Sequence, residues 1–143
     1  MKVEAIHLRA PDADDVHATT SAQAVAGKGL EGDRYFFEDG ARPGLALTLI
    51  EGDVVRGAGL AEGATRRQVT VTGTGLNDLV GKRFRVGSVE CYGVMLCEPC
   101  LHLQELTRPG IIKELVHRAG LNADILNDGW ISVGDAVIVH ERP

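Results

Sequence analysis

From residue 27 onward, glycine interrupts the chain so often that few stretches could carry a long helix; the 143 residues hold eighteen glycines. A glycine inside a helix costs about 1 kcal/mol relative to alanine, whereas glycines between short β-branched runs mark turns. Gln68-Val69-Thr70-Val71-Thr72 alternates polar and apolar residues at the strand period. The same logic predicts strands at Val3–Leu8, Leu45–Ile50, Leu121–Leu126, Trp130–Val133 and Ala136–His140. Arg83–Val86 and Val89–Leu96 read as a hairpin about Gly87-Ser88. Helices are expected to be short: Glu51–Ala58, Leu101–Leu106, and Ile111–Arg118 closed by Gly120. The stretch from Pro11 to Gly32 reads as irregular. Short strands without a βαβ rhythm predict a mainly β fold, a closed or nearly closed β-barrel with a few short helices. At this length one domain over 1–143 is expected.

With 44% apolar and 24% charged residues, the composition fits a soluble globular chain. No apolar run approaches the ~20 residues that span a bilayer. Glu4 and His7 break the start where a secretory signal needs unbroken apolar residues, so a cytoplasmic protein with free thiols is expected, and no membrane partner. The net charge of −5 disfavours a phosphate-tracking surface, so nucleic acid is not an expected partner. The basic residues are nonetheless uneven. Arg66, Arg67, Lys82, Arg83 and Arg85 face a single acid, Asp78, in one stretch. Such a band is either a solvated strand face or a site for a small anion.

Cys91, Cys97 and Cys100 are close in sequence, and Cys97-Glu98-Pro99-Cys100 falls between a predicted strand and a predicted helix. A thiol at a helix start feels unpaired N–H groups and the positive end of the helix dipole, which favour thiolate. The spacing permits a redox dithiol, half of a zinc site completed by His102 or His117, or a lone nucleophile or soft-metal ligand. Free cysteines are also common as small buried apolar residues. His102, two residues past Cys100, could tune the thiol or donate a proton. His7 and His140 read as structural or surface residues. Gly29-Leu30-Glu31-Gly32-Asp33-Arg34-Tyr35 could form a tight turn holding an anion nest, a buried Asp33–Arg34 ion pair, or an ordinary loop.

In order, the stretches Gly29–Tyr35, Leu47–Glu51, Arg66–Gly73, Leu76–Gly87, Cys97–Cys100 and Gly129–Asp135 resemble the MOSC domain, the module named from the C-terminus of molybdenum cofactor sulfurase. The resemblance implies a strand-rich barrel with a cysteine at the mouth of a cleft. It implies that Cys100 coordinates the metal of molybdenum cofactor (molybdopterin). An Arg-x-Asn motif matching Arg66 and Gln68 would hold the pterin and its phosphate, with Gln68 standing where asparagine is usual. Arg67, Arg34 and Lys82 join them as candidate contacts to the anionic cofactor, since arginine's planar fork suits a phosphate. Thiolate is a natural ligand for a soft molybdenum dithiolene centre.

Three functions follow as expectations. The first is a molybdenum-dependent oxidoreductase that removes oxygen from N-hydroxylated compounds, fed by an electron-donor protein in trans. The second is a metal-free sulfur transferase in which Cys100 carries a persulfide from a sulfur-donor protein and Cys97 resolves it. The third is a non-catalytic module that docks a cofactor or partner. No desulfurase-like stretch accompanies the motifs, so pyridoxal phosphate is not expected here.

Overall fold

Strand follows strand through short turns in the computed structural model, which describes residues 1–140. The first part of the chain holds β1 (Val3–Leu8), β2 (His17–Thr19), β3 (Ser21–Val25), β4 (Gly29–Leu30), β5 (Leu47–Glu51), α1 (Gly52–Gly57) and β6 (Val69–Val71). After a 3-10 turn at Leu76–Leu79 come β7 (Arg83–Val86), β8 (Val89–Leu96), α2 (Leu101–Leu106), α3 (Ile111–Leu115), β9 (Leu121–Ile125), β10 (Gly129–Ser132) and β11 (Val137–Val139). Eight strands form one sheet in the order β11-β7-β8-β9-β5-β6-β1-β2, and β10-β3-β4 form a second. Only β5 and β6 run parallel among these pairs, and α1 makes the crossover between them.

The large sheet curls until its ends meet. Lys2 bridges Ala136, the Val3 amide donates to the Asp135 carbonyl at 2.8 Å, and the Val137 amide donates to the Met1 carbonyl at 2.9 Å. The chain entering β1 thus lies against the segment entering β11, while the second half of β1 pairs with β2. The result is mainly β, a nearly closed barrel with three short helices, as the glycine spacing predicts. Among the described residues no helix is long and apolar enough to cross a membrane.

Aliphatic side chains fill the interior, with Ile6, Leu47, Leu49, Phe84 and Leu121 fully buried. Ala22, Ala24 and Ile131 of the small sheet join that core. A second apolar cluster lies among the helices, where Leu103 packs with Val54, Ile111 and Leu115. Two glycines permit backbone approaches that no side chain would allow. A Cβ on Gly93 would lie 2.0 Å from the Leu79 carbonyl oxygen, and one on Gly120 would lie 2.3 Å from that of Leu49.

Three sequence expectations are corrected here. The stretch from Pro11 to Gly32 is not irregular but carries β2, β3 and β4. Its small residues have weak strand propensity, and pairing with the distant β1 and β10 decides their conformation. The helix expected to reach Arg118 stops at Leu115, because Val116 is extended and His117 turns left-handed at φ 62°. Gly120 therefore serves the approach to β5 and not a helix cap. The basic band from Arg66 to Arg85 is also divided. Arg83 and Arg85 lie on β7, and β8, β9 and β5 separate that strand from β6.

Candidate functional site

The segment leaving β8 passes through Cys97-Glu98-Pro99-Cys100 before α2 begins. Two attachments fix it. The Cys97 amide donates to the Gly120 carbonyl at 2.8 Å, and Leu103 buries α2 in the helical cluster. Cys100 is the residue at the helix boundary, extended at φ −139° and ψ 175°, and its carbonyl accepts the Gln104 amide that closes the first turn. Its side chain forms no cap and stays exposed.

Cys97, Cys100 and His102 line a cleft of about 300 Å³. Arg66, Arg67 and Gln68, on the approach to β6, line the same cleft. Six of the residues singled out in the sequence therefore meet in one concavity. Arg34 and Lys82 do not. Arg34 is exposed, and its turn is fixed by its backbone amide, which donates to the Arg9 carbonyl at 2.6 Å. Lys82 is exposed just before β7, on the far part of the sheet. Neither lines this cleft, so the structure does not bring them together with Cys100.

The thiols differ by environment. All three cysteines are free. Burial pushes the Cys91 thiol up to about 12, reinforced by Glu90 and Asp124, so it is an inert core residue. Burial also raises Cys97, and the Arg67 guanidinium opposes that rise without overcoming it. The protonated thiol is the favoured form at Cys97, contrary to the thiolate expected from its place before a helix. Glu98 between them is held below the usual carboxylate range by hydrogen bonds from the His117 amide and ring.

Arg67 is committed to the backbone. Its Nε donates to the Ala119 carbonyl at 2.9 Å, Nη1 to Thr65 at 3.4 Å and Nη2 to Cys97 at 3.4 Å. It thereby clamps the cysteine segment to the strand approach. Arg66 adopts φ 59°, a left-handed conformation uncommon for a side chain of this size. Its Nη2 donates to the Asp14 carbonyl at 2.8 Å.

Gln68 is 4% exposed and braces the cleft wall. Its Oε1 accepts the Thr48 amide at 2.9 Å while Thr48 Oγ1 accepts the Gln68 amide at 3.0 Å. Its Nε2 donates to Asp33 Oδ2 at 2.7 Å. Asp33, equally buried, also accepts the Arg9 and Tyr35 amides. The Asp33–Arg34 ion pair allowed by the sequence does not form; amide donors satisfy the acid instead.

Sequence reasoning missed Arg9, Leu45, Thr48 and Asn122, which also line the cleft. Arg9 offered one weak signal, a basic residue directly after a buried strand. His7 is a buried structural residue, but its Nδ1 has no hydrogen-bond partner among the described residues, while Nε2 lies 3.6 Å from Glu62. His140 pairs with Glu90 at the surface, as expected.

Fold and site together define a β-barrel protein whose cleft joins an exposed thiol to a group of guanidinium ions. The profile of the MOSC domain matches residues 37–138, and the chain belongs to that family. Among solved structures it is similar to the YuaD protein from Bacillus subtilis, with a TM-score of 0.80 at 15% identity over 99% of this chain and 96% of that one. It is similar to YiiM from Geobacillus stearothermophilus, with a TM-score of 0.72 at 16% identity over 99% of this chain and 75% of that one. YiiM from Escherichia coli gives a TM-score of 0.72 at 15% identity, over 100% of this chain and 71% of that one. At these identities the likeness is one of fold. No curated protein matches the chain in sequence.

Proposed function

We propose that the cleft binds molybdenum cofactor, with Cys100 as the protein ligand to the metal, and reduces N-hydroxylated compounds. One observation carries this reading: the exposed Cys100 shares a concavity with Arg66 and Gln68. The donor set fits such a group. Among the described residues no three His, Cys, Asp or Glu side chains gather to hold a bare metal ion. A single thiol suits a metal that arrives with its own sulfur ligands, and guanidinium groups suit an anionic pterin phosphate.

When bound, the group supplies a redox-active metal that accepts an oxygen atom. Cys100 would hold it at the α2 boundary, Arg66 and Gln68 would orient it, and His102, which lines the same cleft, would donate a proton. The overall change consumes two electrons and two protons, breaks the N–O bond, and leaves the amine and water. The electrons come from a donor protein in trans.

Metal analysis of protein produced in cells that make the cofactor tests the reading. The expected result is molybdenum and pterin with wild type, and loss of molybdenum in Cys100→Ser. Absence of molybdenum in both overturns it.

A second reading rests on two free thiols lining one cleft. Here the Cys100 thiolate attacks the sulfane sulfur of a donor persulfide, forms a Cys100 persulfide and releases the donor thiol. Cys97 then attacks the inner sulfur of Cys100, giving a Cys97–Cys100 disulfide and releasing hydrosulfide; an external thiol reductant restores the pair. Mass spectrometry after incubation with a persulfide donor is expected to show one added sulfur at Cys100. No uptake by the wild type overturns this alternative.

A further inference from the structure

The half of the basic band that lies outside the cleft sits on β7. Arg83 and Arg85 alternate there with the buried Phe84 and Val86, so both side chains point away from the core. Exposed Lys82 precedes them. Register sets their neighbours. Arg83 lies opposite Tyr92 of β8, and Arg85 lies between Glu90 of β8 and Ile138 of β11. Two acids share this outer face, and both are engaged elsewhere. Glu90 Oε1 meets His140 Nε2 at 2.5 Å, and Asp124 Oδ1 accepts the Gly44 amide at 2.8 Å. Among the described residues, the guanidinium groups of Arg83 and Arg85 form no hydrogen bond or ion pair. A chain of net charge −5 thus keeps two unpaired arginines side by side on one strand.

The face also has an apolar part. Tyr92, Met95 and Ile138 are large side chains left exposed on β8 and β11. Arginine, tyrosine and methionine are residue types that protein interfaces gather. The face runs on to the cleft. Met95 pairs with Asn122 of β9, Asn122 pairs with Thr48 of β5, and Asn122 and Thr48 line the cleft. β7 stands two strands from β9, about 10 Å across the sheet. A partner seated on Arg83, Arg85 and Tyr92 therefore stands beside the cleft. Electron-transfer encounters need only a small interface, and opposite charge on the two partners steers them.

We infer that the outer face of β7, β8 and β11, centred on Arg83, Arg85, Tyr92 and Ile138, docks the acidic surface of a redox protein that delivers electrons to the cleft. This rests on the reductase reading and names its partner by charge. A one-electron donor docks twice for each N–O bond cleaved and is oxidised by one electron each time, which supplies the two electrons of the reduction. Three cations are too few to track a phosphate backbone, so a protein is the occupant that the face favours over nucleic acid.

The ¹⁵N-labelled full chain is titrated with an acidic [2Fe–2S] ferredoxin, and amide signals of β7, β8 and β11 are expected to respond while those of α3 stay unmoved. Association rates onto immobilised ferredoxin read the role of charge. Arg85→Glu should slow association by about tenfold or more at low salt. Lys113→Glu makes the same charge change at an exposed position on α3 and should slow it by less than about twofold. Arg85→Gln should fall between wild type and Arg85→Glu, which guards against misfolding as the cause. Equal slowing by Arg85→Glu and Lys113→Glu overturns the inference, as does a response centred away from these three strands. Basic cytochrome c, or a DNA duplex, binding the face as tightly as the ferredoxin overturns it too. These readouts need no bound metal. A chain that never holds molybdenum but docks ferredoxin through Arg85 refutes the reductase and leaves the docking face standing; a chain that holds molybdenum but gives no ferredoxin response refutes the docking face alone.

Discussion

Gln68 Nε2 donates to Asp33 Oδ2 across 2.7 Å, joining β6 to the turn that follows β4. Both residues are buried, and the same glutamine accepts the Thr48 amide from β5. One side chain therefore ties three pieces of the cleft wall. Gln68→Leu keeps the approximate volume but strips Asp33 of a donor and Thr48 of an acceptor. It is expected to lower unfolding free energy by about 1–3 kcal/mol in urea titrations. Gln68→Asn, shorter by one methylene, should reach only one of the two partners and lose less. If Gln68→Leu unfolds at the wild-type midpoint, the brace carries no weight.

The three thiols should alkylate in a fixed order. Cys100 is exposed, Cys97 is half-buried and raised by burial, and Cys91 is buried with its thiol pushed up to about 12. Thiolate is the reacting form, and access limits the rest. Timed iodoacetamide labelling read by mass spectrometry should modify Cys100 first and Cys97 later. Cys91 should react only in denaturant. Modification of Cys97 ahead of Cys100 would reverse the roles assigned to them.

Local features of this site were legible in the sequence, and long-range ones were not. The Cys97–Cys100 segment could be placed between a strand and a helix because the Val89–Leu96 and Leu101–Leu106 patterns are self-contained. The hairpin about Gly87-Ser88 likewise depends on neighbours in the chain. Arg9 carries only a weak signal in the sequence because its place in the cleft comes from β1 lying on β6, across some sixty residues of chain. Lys82 falls outside the cleft for the converse reason, since sequence neighbours of Arg66 are not its neighbours in a curled sheet. Gln68 was found by motif, but its bond to Asp33 depends on a turn 35 residues away, which no spacing rule could supply. Arg67 read as a ligand contact because a charge count does not show which carbonyls surround it.

Two glycines should respond oppositely to alanine. At Gly93 the added Cβ would stand 2.0 Å from the Leu79 carbonyl oxygen, a backbone atom that cannot turn aside. Gly93→Ala should yield little folded protein. At Gly57, in the last turn of α1, nothing lies within 4 Å of the added Cβ. Gly57→Ala should raise stability by about 0.5–1 kcal/mol by restricting the unfolded chain. Thermal unfolding of both variants decides the matter; equal stability for the pair would contradict the close packing of β8 on the 3-10 turn.

Acid should loosen the cysteine segment through Glu98. Its Oε1 accepts the His117 amide at 2.7 Å and its Oε2 meets His117 Nδ1 at 2.6 Å. These bonds hold the Glu98 carboxyl below its ordinary value. They also hold His117 in its left-handed turn, whose carbonyl accepts the Asn77 side chain. A group whose folded value is depressed contributes stability above its unfolded value and loses it as pH falls through the folded one. Wild type should therefore exceed Glu98→Gln in stability at neutral pH. The gap should begin to close as pH drops past the ordinary glutamate range and vanish below the depressed folded value. Urea midpoints for the two proteins, measured from neutral to strongly acidic pH, give the comparison. A gap that stays constant through the acid range would show that the carboxylate contributes shape and not charge, and that Cys100 is held by Arg67 and α2 alone.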